Sequence, residues 1–277
     1  MKKTANKNAK PCIFCGASAS TREDVFPLWL QHTKKLYNER LTLLDGSSIQ
    51  YRQLKILVCT KCNNETLSRI EQGVKEQKAS TLEYYLWTLK IYIGILYKES
   101  LLISYKFKDG FPIVDKNRIV SDLGIAKNLF NVYKNKGSFY PNPPGSVIRV
   151  PRIGDKRYFD YSDIPIVPIL GIALPNEFVF SLPFDKGRTV NVTDIKKVPK
   201  DMDDLMFRFF IAEMGYDEFR WEEGFSSVAI ENKIHITPGS YLLKQPRSFN
   251  DREFKKFLKA VGIIGFKIGE KWRIERQ

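Results

Sequence analysis

The chain has 277 residues, is 43% hydrophobic and 13% aromatic, and carries 45 Lys and Arg against 31 Asp and Glu, a formal charge of +14. That composition excludes a disordered polymer and leaves room for one large or two modest domains. The charge points to a polyanionic partner, nucleic acid ahead of an anionic membrane surface, because neutralising phosphates releases counterions. The longest apolar stretch, Leu82 to Tyr105, is broken by Glu83, Lys90, Lys98 and Glu99, so it reads as a buried helix and not a bilayer span.

Residues 1–10 are basic and aperiodic and are expected to form a flexible tail. With no apolar secretory segment there, the expectation is a cytoplasmic protein with reduced thiols. Ordered structure is expected from Pro11, at the first of two cysteine knuckles, Cys12-Ile13-Phe14-Cys15-Gly16. The second is Cys59-Thr60-Lys61-Cys62-Asn63, and together they use all 4 cysteines. A two-residue gap lets both thiolates of a pair turn onto one ion, and two such pairs supply the sulfur set of a closed structural Zn²⁺ site. Two disulfides would use the same residues but suit an oxidising compartment, and a thioredoxin-type redox site would leave one pair unexplained.

The 43 residues between Cys15 and Cys59 must hold further structure. Ser20 to Asp24 reads as a polar loop, and Pro27 opens a helix predicted to run to Tyr37, with Val25, Phe26, Trp29 and Leu30 at i,i+4 spacing. Leu41 to Leu44, the turn pair Asp45-Gly46 and Ile49 to Val58 read as a hairpin whose second strand delivers Cys59. The second knuckle then opens a helix with Leu67, Ile70 and Val74 on one face.

These words, in this order, resemble the HNH endonuclease superfamily, specifically prokaryotic HNH-like proteins with the pattern CxxCG…TREHVxPxWL…CxxCNxxxLSxxE. The pattern stands here as Cys12 to Gly16, Thr21-Arg22-Glu23-Asp24-Val25-Phe26-Pro27-Leu28-Trp29-Leu30, and Cys59 to Glu71. The apolar stretch Leu82 to Tyr92, with Trp87 and Lys90, continues the likeness more weakly, as does Pro143-Pro144-Gly145; past about residue 150 it ceases. The resemblance implies a zinc-stapled ββα module that holds one Mg²⁺ or Mn²⁺ against a DNA phosphodiester, with a histidine as general base on the attacking water.

Carried over residue by residue, Glu23 matches the acidic metal ligand and Asn63 the ligand that follows the last cysteine. Asp24 occupies the base position, where the pattern has histidine. An unperturbed aspartate, with a pKa of about 3.9 against about 6.5 for imidazole, is a weak base at pH 7. The catalytic set Glu23, Asp24 and Asn63 therefore implies one of three things. Asp24 is a second acidic ligand beside a metal-bound hydroxide, or a carboxylate raised by its neighbour to act as the base, or part of an inactive site on a nucleic-acid-binding or adaptor protein. His32, within the predicted helix, and His235, in an alternating strand, read as structural. Arg22 flanks the site as a phosphate contact or, equally, as an ion-pair partner of Glu23 or Asp24; in the last matching word Arg69 reads as a solvated helix face and Glu71 as a group that orients a lysine or the knuckle backbone.

Thr81 to about Tyr97 reads as a central helix buried nearly all round. Asp122 to Lys136 is predicted helical, with Leu123, Ala126, Phe130 and Tyr133 inward and Lys127, Lys134 and Lys136 outward as a nucleic-acid-binding patch. Tyr140 to Gly145 reads as a linker. Strands are expected at Val147–Val150, Ile164–Leu174, Phe178–Leu182 and Thr189–Val192, followed by a helix over Asp203–Met214, a capping box at Asn250 and Glu253, and a basic hairpin turning at Gly269-Glu270. The expected fold is α+β: a tail to residue 10, the zinc-stapled ββα module over 11–78, a helical region over 79–140 packed on it, and an α+β C-terminal domain over 145–277 that offers a surface for a protein partner.

Overall fold

The computed structural model of the chain describes residues 10–104, 111–112, 116–155, 157, 159–164, 167–185, 187, 189, 198–221, 225–230, 233–238, 248–260, 262–268 and 271–276. The fold is α+β and divides into two compact units, Met1–Ser138 with Ala229–Ile234, and Phe139–Val228 with His235–Gln277. The tail at 1–9, most of the run at 189–192 and the turn at 269–270 lie outside the described residues.

The first unit opens with β1 (Thr21–Asp24), α1 (Leu28–Thr33), β2 (Arg40–Thr42), β3 (Ser48–Gln50) and β4 (Lys55–Val58). Three expectations are corrected here. The polar segment before Val25 is a strand, and the strand that delivers Cys59 pairs with it, antiparallel, with Glu23 opposite Ile56 and Asp24 opposite Lys55. The Asp45-Gly46 hairpin is confined to β2 and β3, because the 3₁₀ turn Tyr51–Gln53 breaks the chain before β4. The helix expected to reach Tyr37 also ends early. Lys35 takes a left-handed φ of 56°, the Leu36 amide donates to Gln31 O (2.7 Å) and the Lys35 amide to His32 O (3.2 Å), the double bond of a Schellman end.

After the second knuckle come α2 (Ser68–Lys75), α3 (Thr81–Glu99), the short strands β5 (Ile103–Ser104) and β6 (Phe111–Pro112), and α4 (Lys116–Lys134). A capping box starts α3: the Glu83 amide donates to Ser80 Oγ (3.2 Å) and the Ser80 amide to Glu83 Oε2 (2.9 Å). Every residue from Tyr84 to Leu96 is buried, so α3 forms the core of the unit. Gly94 brings it close to the end of β1, since a Cβ there would sit 2.6 Å from Val25 Cγ2. A Gly94→Ala chain is expected to lose about 1–3 kcal/mol through overpacking, read as a lower urea midpoint at unchanged slope; a wild-type midpoint would refute the close approach.

The second unit follows β7 (Ser138–Tyr140), which lies at the boundary. Its main sheet, ordered β8-β11-β10-β9, contains β8 (Ser146–Pro151), β9 (Tyr161–Ile164), β10 (Val167–Ala173) and β11 (Glu177–Leu182), all antiparallel. The helix α5 (Asp204–Trp221) is longer than its expected span to Met214 and lays Phe207 on Phe178, with ring centroids 4.7 Å apart. Strands β12 (Phe225–Ile230) and β13 (Lys233–Pro238, which carries His235) come next in the chain, and their adjoining ends, within Ala229–Ile234, count with the first unit. Helix α6 (Asp251–Ala260) is capped by Asn250, whose Oδ1 accepts from the Arg252 and Glu253 amides. The chain closes on the antiparallel hairpin of β14 (Ile263–Ile268) and β15 (Lys271–Arg276). No described helix is long and apolar enough to cross a membrane.

Candidate metal centre and adjoining cleft

The two knuckles converge because β4 bridges them. The Ile13 amide of the first knuckle donates to Leu57 O (3.1 Å), and Cys59 follows directly from the same strand. Gly16 completes the first knuckle at φ 74°, a left-handed turn that suits glycine, and the Lys127 ammonium from α4 occupies the space where a side chain would stand. Phe14 packs on Phe130 of α4 at 4.4 Å between centroids, so the knuckle is also anchored to that helix.

The sulfurs of Cys12, Cys15, Cys59 and Cys62 all lie within 4.8 Å of one another, and those of Cys15 and Cys59 are 3.6 Å apart. A tetrahedral ion with sulfur ligands at about 2.3 Å needs sulfur separations of about 3.8 Å, so the four form a metal-binding set with dimensions compatible with a structural zinc. None of these cysteines is disulfide-bonded. The Cys12 thiol is pushed down to about 4, chiefly by its hydrogen bond with Cys62, whereas that pairing together with burial drives Cys62 far up. A metal ion bound by these sulfurs would displace their protons.

From Cys62 to Leu67 the chain makes a wide π-type turn before continuing as α2, with the Ser68 amide bonded back to Asn63 O. This turn sends Cys62 inward to the cluster and Asn63 into a cleft of about 350 Å³ lined by Glu23, Trp29, Asn63, Asn64, Ser68, Glu71, Gln72 and Lys75. Asn63 Nδ2 donates to Thr21 Oγ1 (3.2 Å), which ties the start of the helix to β1. The indole N–H of Trp29 is buried without a hydrogen-bond partner among the described residues.

Sequence reasoning missed Lys90 and gave Glu71 a minor part. The Lys90 side chain is 0% exposed, and its Nζ donates to Glu23 Oε1 (2.6 Å) and to Glu71 Oε1. Burial works against its charge, yet the two carboxylates outweigh that penalty and hold its pKa above the ordinary lysine value. Glu71 is raised to about 7 by burial, Lys90 pulling it down and the neighbouring Glu23 pushing it up. The signal available in the sequence was Lys90 as the one charged residue of the run Tyr84–Leu96, which requires a buried counter-charge once that run is buried.

The predicted catalytic residues are therefore not all brought together. Glu23 and Asn63 share the cleft. Asp24, one residue further along β1, is absent from its lining; its carboxylate is bound by Lys55 (3.2 Å) and more distantly by Gln31 Nε2 (3.5 Å), as strand alternation requires. Arg22 is exposed on β1 and depresses the ammonium of Lys98 after burial has done so. Lys127 lies against Gly16, Lys134 is half-buried at the end of α4, and Lys136 is exposed in a left-handed turn at φ 54°. His32 stacks on Tyr37 at 5.2 Å. No family model, curated protein or solved structure matches the chain.

Proposed function

We propose that the first unit is an HNH-like, metal-dependent endonuclease module acting on DNA, with Cys12, Cys15, Cys59 and Cys62 holding a structural Zn²⁺. The observation that carries this reading is the meeting of Glu23 and Asn63, 40 residues apart in the chain, in one cleft beside the cysteine cluster. A carboxylate and an amide offer oxygen donors of the kind that Mg²⁺ or Mn²⁺ accepts. When bound, such an ion would supply charge stabilisation for a phosphodiester and acidify a water. The chain's own donors around the cleft, Asn64, Ser68 and Lys75, suit phosphate oxygens, and the +14 net charge favours a polyanion. Asp24 takes no part in this scheme, because its carboxylate is held by Lys55 outside the cleft.

A second reading is favoured by that same displacement of Asp24: a nucleic-acid-binding or adaptor protein in which the general base is lost and the module is kept for its shape. Supercoiled plasmid incubated with the full chain and Mg²⁺ or Mn²⁺ separates the two. Nicking is expected from wild type, with a drop on the order of 100-fold in Asn63→Ala, the upper end of what even outer-shell partners of a metal contribute, and wild-type nicking in Asp24→Asn. Plasmid left intact by wild type, with DNA binding retained in a gel shift, would replace the nuclease by the second reading.

A further inference from the structure

Lys90 stands behind the wall of the cleft and not within it. Glu23 and Glu71 line the cleft, whereas Lys90 does not and is closed off from solvent. Two separate elements present these carboxylates, β1 and α2, and the ammonium from α3 reaches both because Gly94, one helical turn further on, lets α3 approach the end of β1. The ammonium engages Oε1 of each carboxylate, which leaves each Oε2 outside these bonds. The bond from Asn63 Nδ2 to Thr21 likewise commits the nitrogen of that amide and leaves Oδ1.

We infer that Lys90 is a positioning residue for the cation site proposed above, bracketing Glu23 and Glu71 from behind, and that Glu71 is the third protein oxygen of that site beside Glu23 and Asn63. This rests on reading the cleft as a cation site. The physical case has two parts. Two neighbouring carboxylates repel each other unless a cation stands between them, and an ammonium on the buried side satisfies that need while keeping the open side for a ligand. Hard divalent ions retain several waters and need only a few fixed oxygens, whose orientation depends on the groups hydrogen-bonded behind them. A buried ion pair is by itself a weak source of stability, which an apolar side chain of equal volume would often match. Its location on the wall of the cleft is what gives the pair a positioning role.

The test is Mn²⁺ binding to the zinc-loaded full chain, followed by electron paramagnetic resonance of the free ion. Wild type is expected to hold one Mn²⁺ whose affinity falls about 10–100-fold in Glu71→Gln and in Lys90→Met, while Glu76→Gln, an exposed acid beyond the end of α2, leaves it unchanged. Glu71→Gln keeps a hydrogen-bonding partner for Lys90, so it decides the matter should Lys90→Met fail to fold. Absence of a Mn²⁺ site in wild type, or Glu71→Gln binding within about twofold of wild type, overturns the inference. The double variant Lys90→Met/Glu71→Met removes one charge of each sign. Stability regained without Mn²⁺ affinity is expected of a positioning pair, and affinity regained would overturn that role. Wild type that takes up Mn²⁺ but leaves plasmid intact would defeat the nuclease reading alone, and nicking with unaltered Mn²⁺ affinity in the variants would defeat only this inference.

Discussion

In a Cys62→Ser chain the first unit is expected to lose its cooperative unfolding transition altogether. The cysteine cluster joins the two ends of the segment that contains β1, α1 and β4, and the four sulfurs are the point where the first knuckle, the end of β4 and the start of the π-type turn meet. Structural zinc in such a set contributes an apparent 10–16 kcal/mol, roughly. A domain is stable by only about 5–15 kcal/mol, so the loss of one ligand is enough to decide the fold. Far-ultraviolet circular dichroism through a thermal ramp, with zinc content measured alongside, checks this. Wild type should carry one zinc per chain and the variant none. A zinc-free Cys62→Ser chain that melts like wild type would mean that the knuckles are held by packing alone.

Lys90→Met is expected to destabilise the first unit by about 3–5 kcal/mol, the usual cost of removing one partner from a buried ion pair. The variant leaves Glu23 and Glu71, whose side chains are 12% and 17% exposed, facing each other without the cation that separates them. Methionine has nearly the volume of lysine, so the loss comes from charge and not from a cavity. Removing the second carboxylate as well, in Lys90→Met/Glu71→Met, should restore most of the loss, because charge is then no longer stranded in pairs. Urea denaturation of the zinc-loaded chain measures both. Equal destabilisation in the single and double variants would show that Lys90 matters for its packing on α3 and not for its charge.

The parts of this fold legible in the sequence were those set by local chemistry. The two CxxC words placed the four sulfurs, the apolar run from Leu82 placed α3, and Asn250 with Glu253 marked the start of α6. The parts that escaped depended on partners remote in sequence. Thr21 to Asp24 has the composition of a loop and becomes a strand only because β4, more than thirty residues on, supplies its hydrogen bonds. Asp24 looked equivalent to Glu23 as a neighbour in sequence, yet the two-residue period of a strand turns them to opposite faces. Lys90 was read as a polar interruption of an apolar run, and its meaning appears only when β1 and α2 bring two acids to it. Glu71 was visible as part of a matching word, without the burial that raises it.

The wide turn at Cys62–Leu67 acts as a phase adjuster between two frames of reference. Each residue of a regular helix advances the side chains by about 100°, so a turn closed over one extra residue shifts the whole of α2 by that angle relative to the cysteines. The knuckle sets one clock, through Cys62; the helix downstream keeps another, with Ile70 and Val74 to the core and Ser68, Glu71, Gln72 and Lys75 to the cleft. The number of residues in this turn is thus as constrained as their identity: the anchored end and the cleft-facing end of one continuous helix stay in step only while that count is kept.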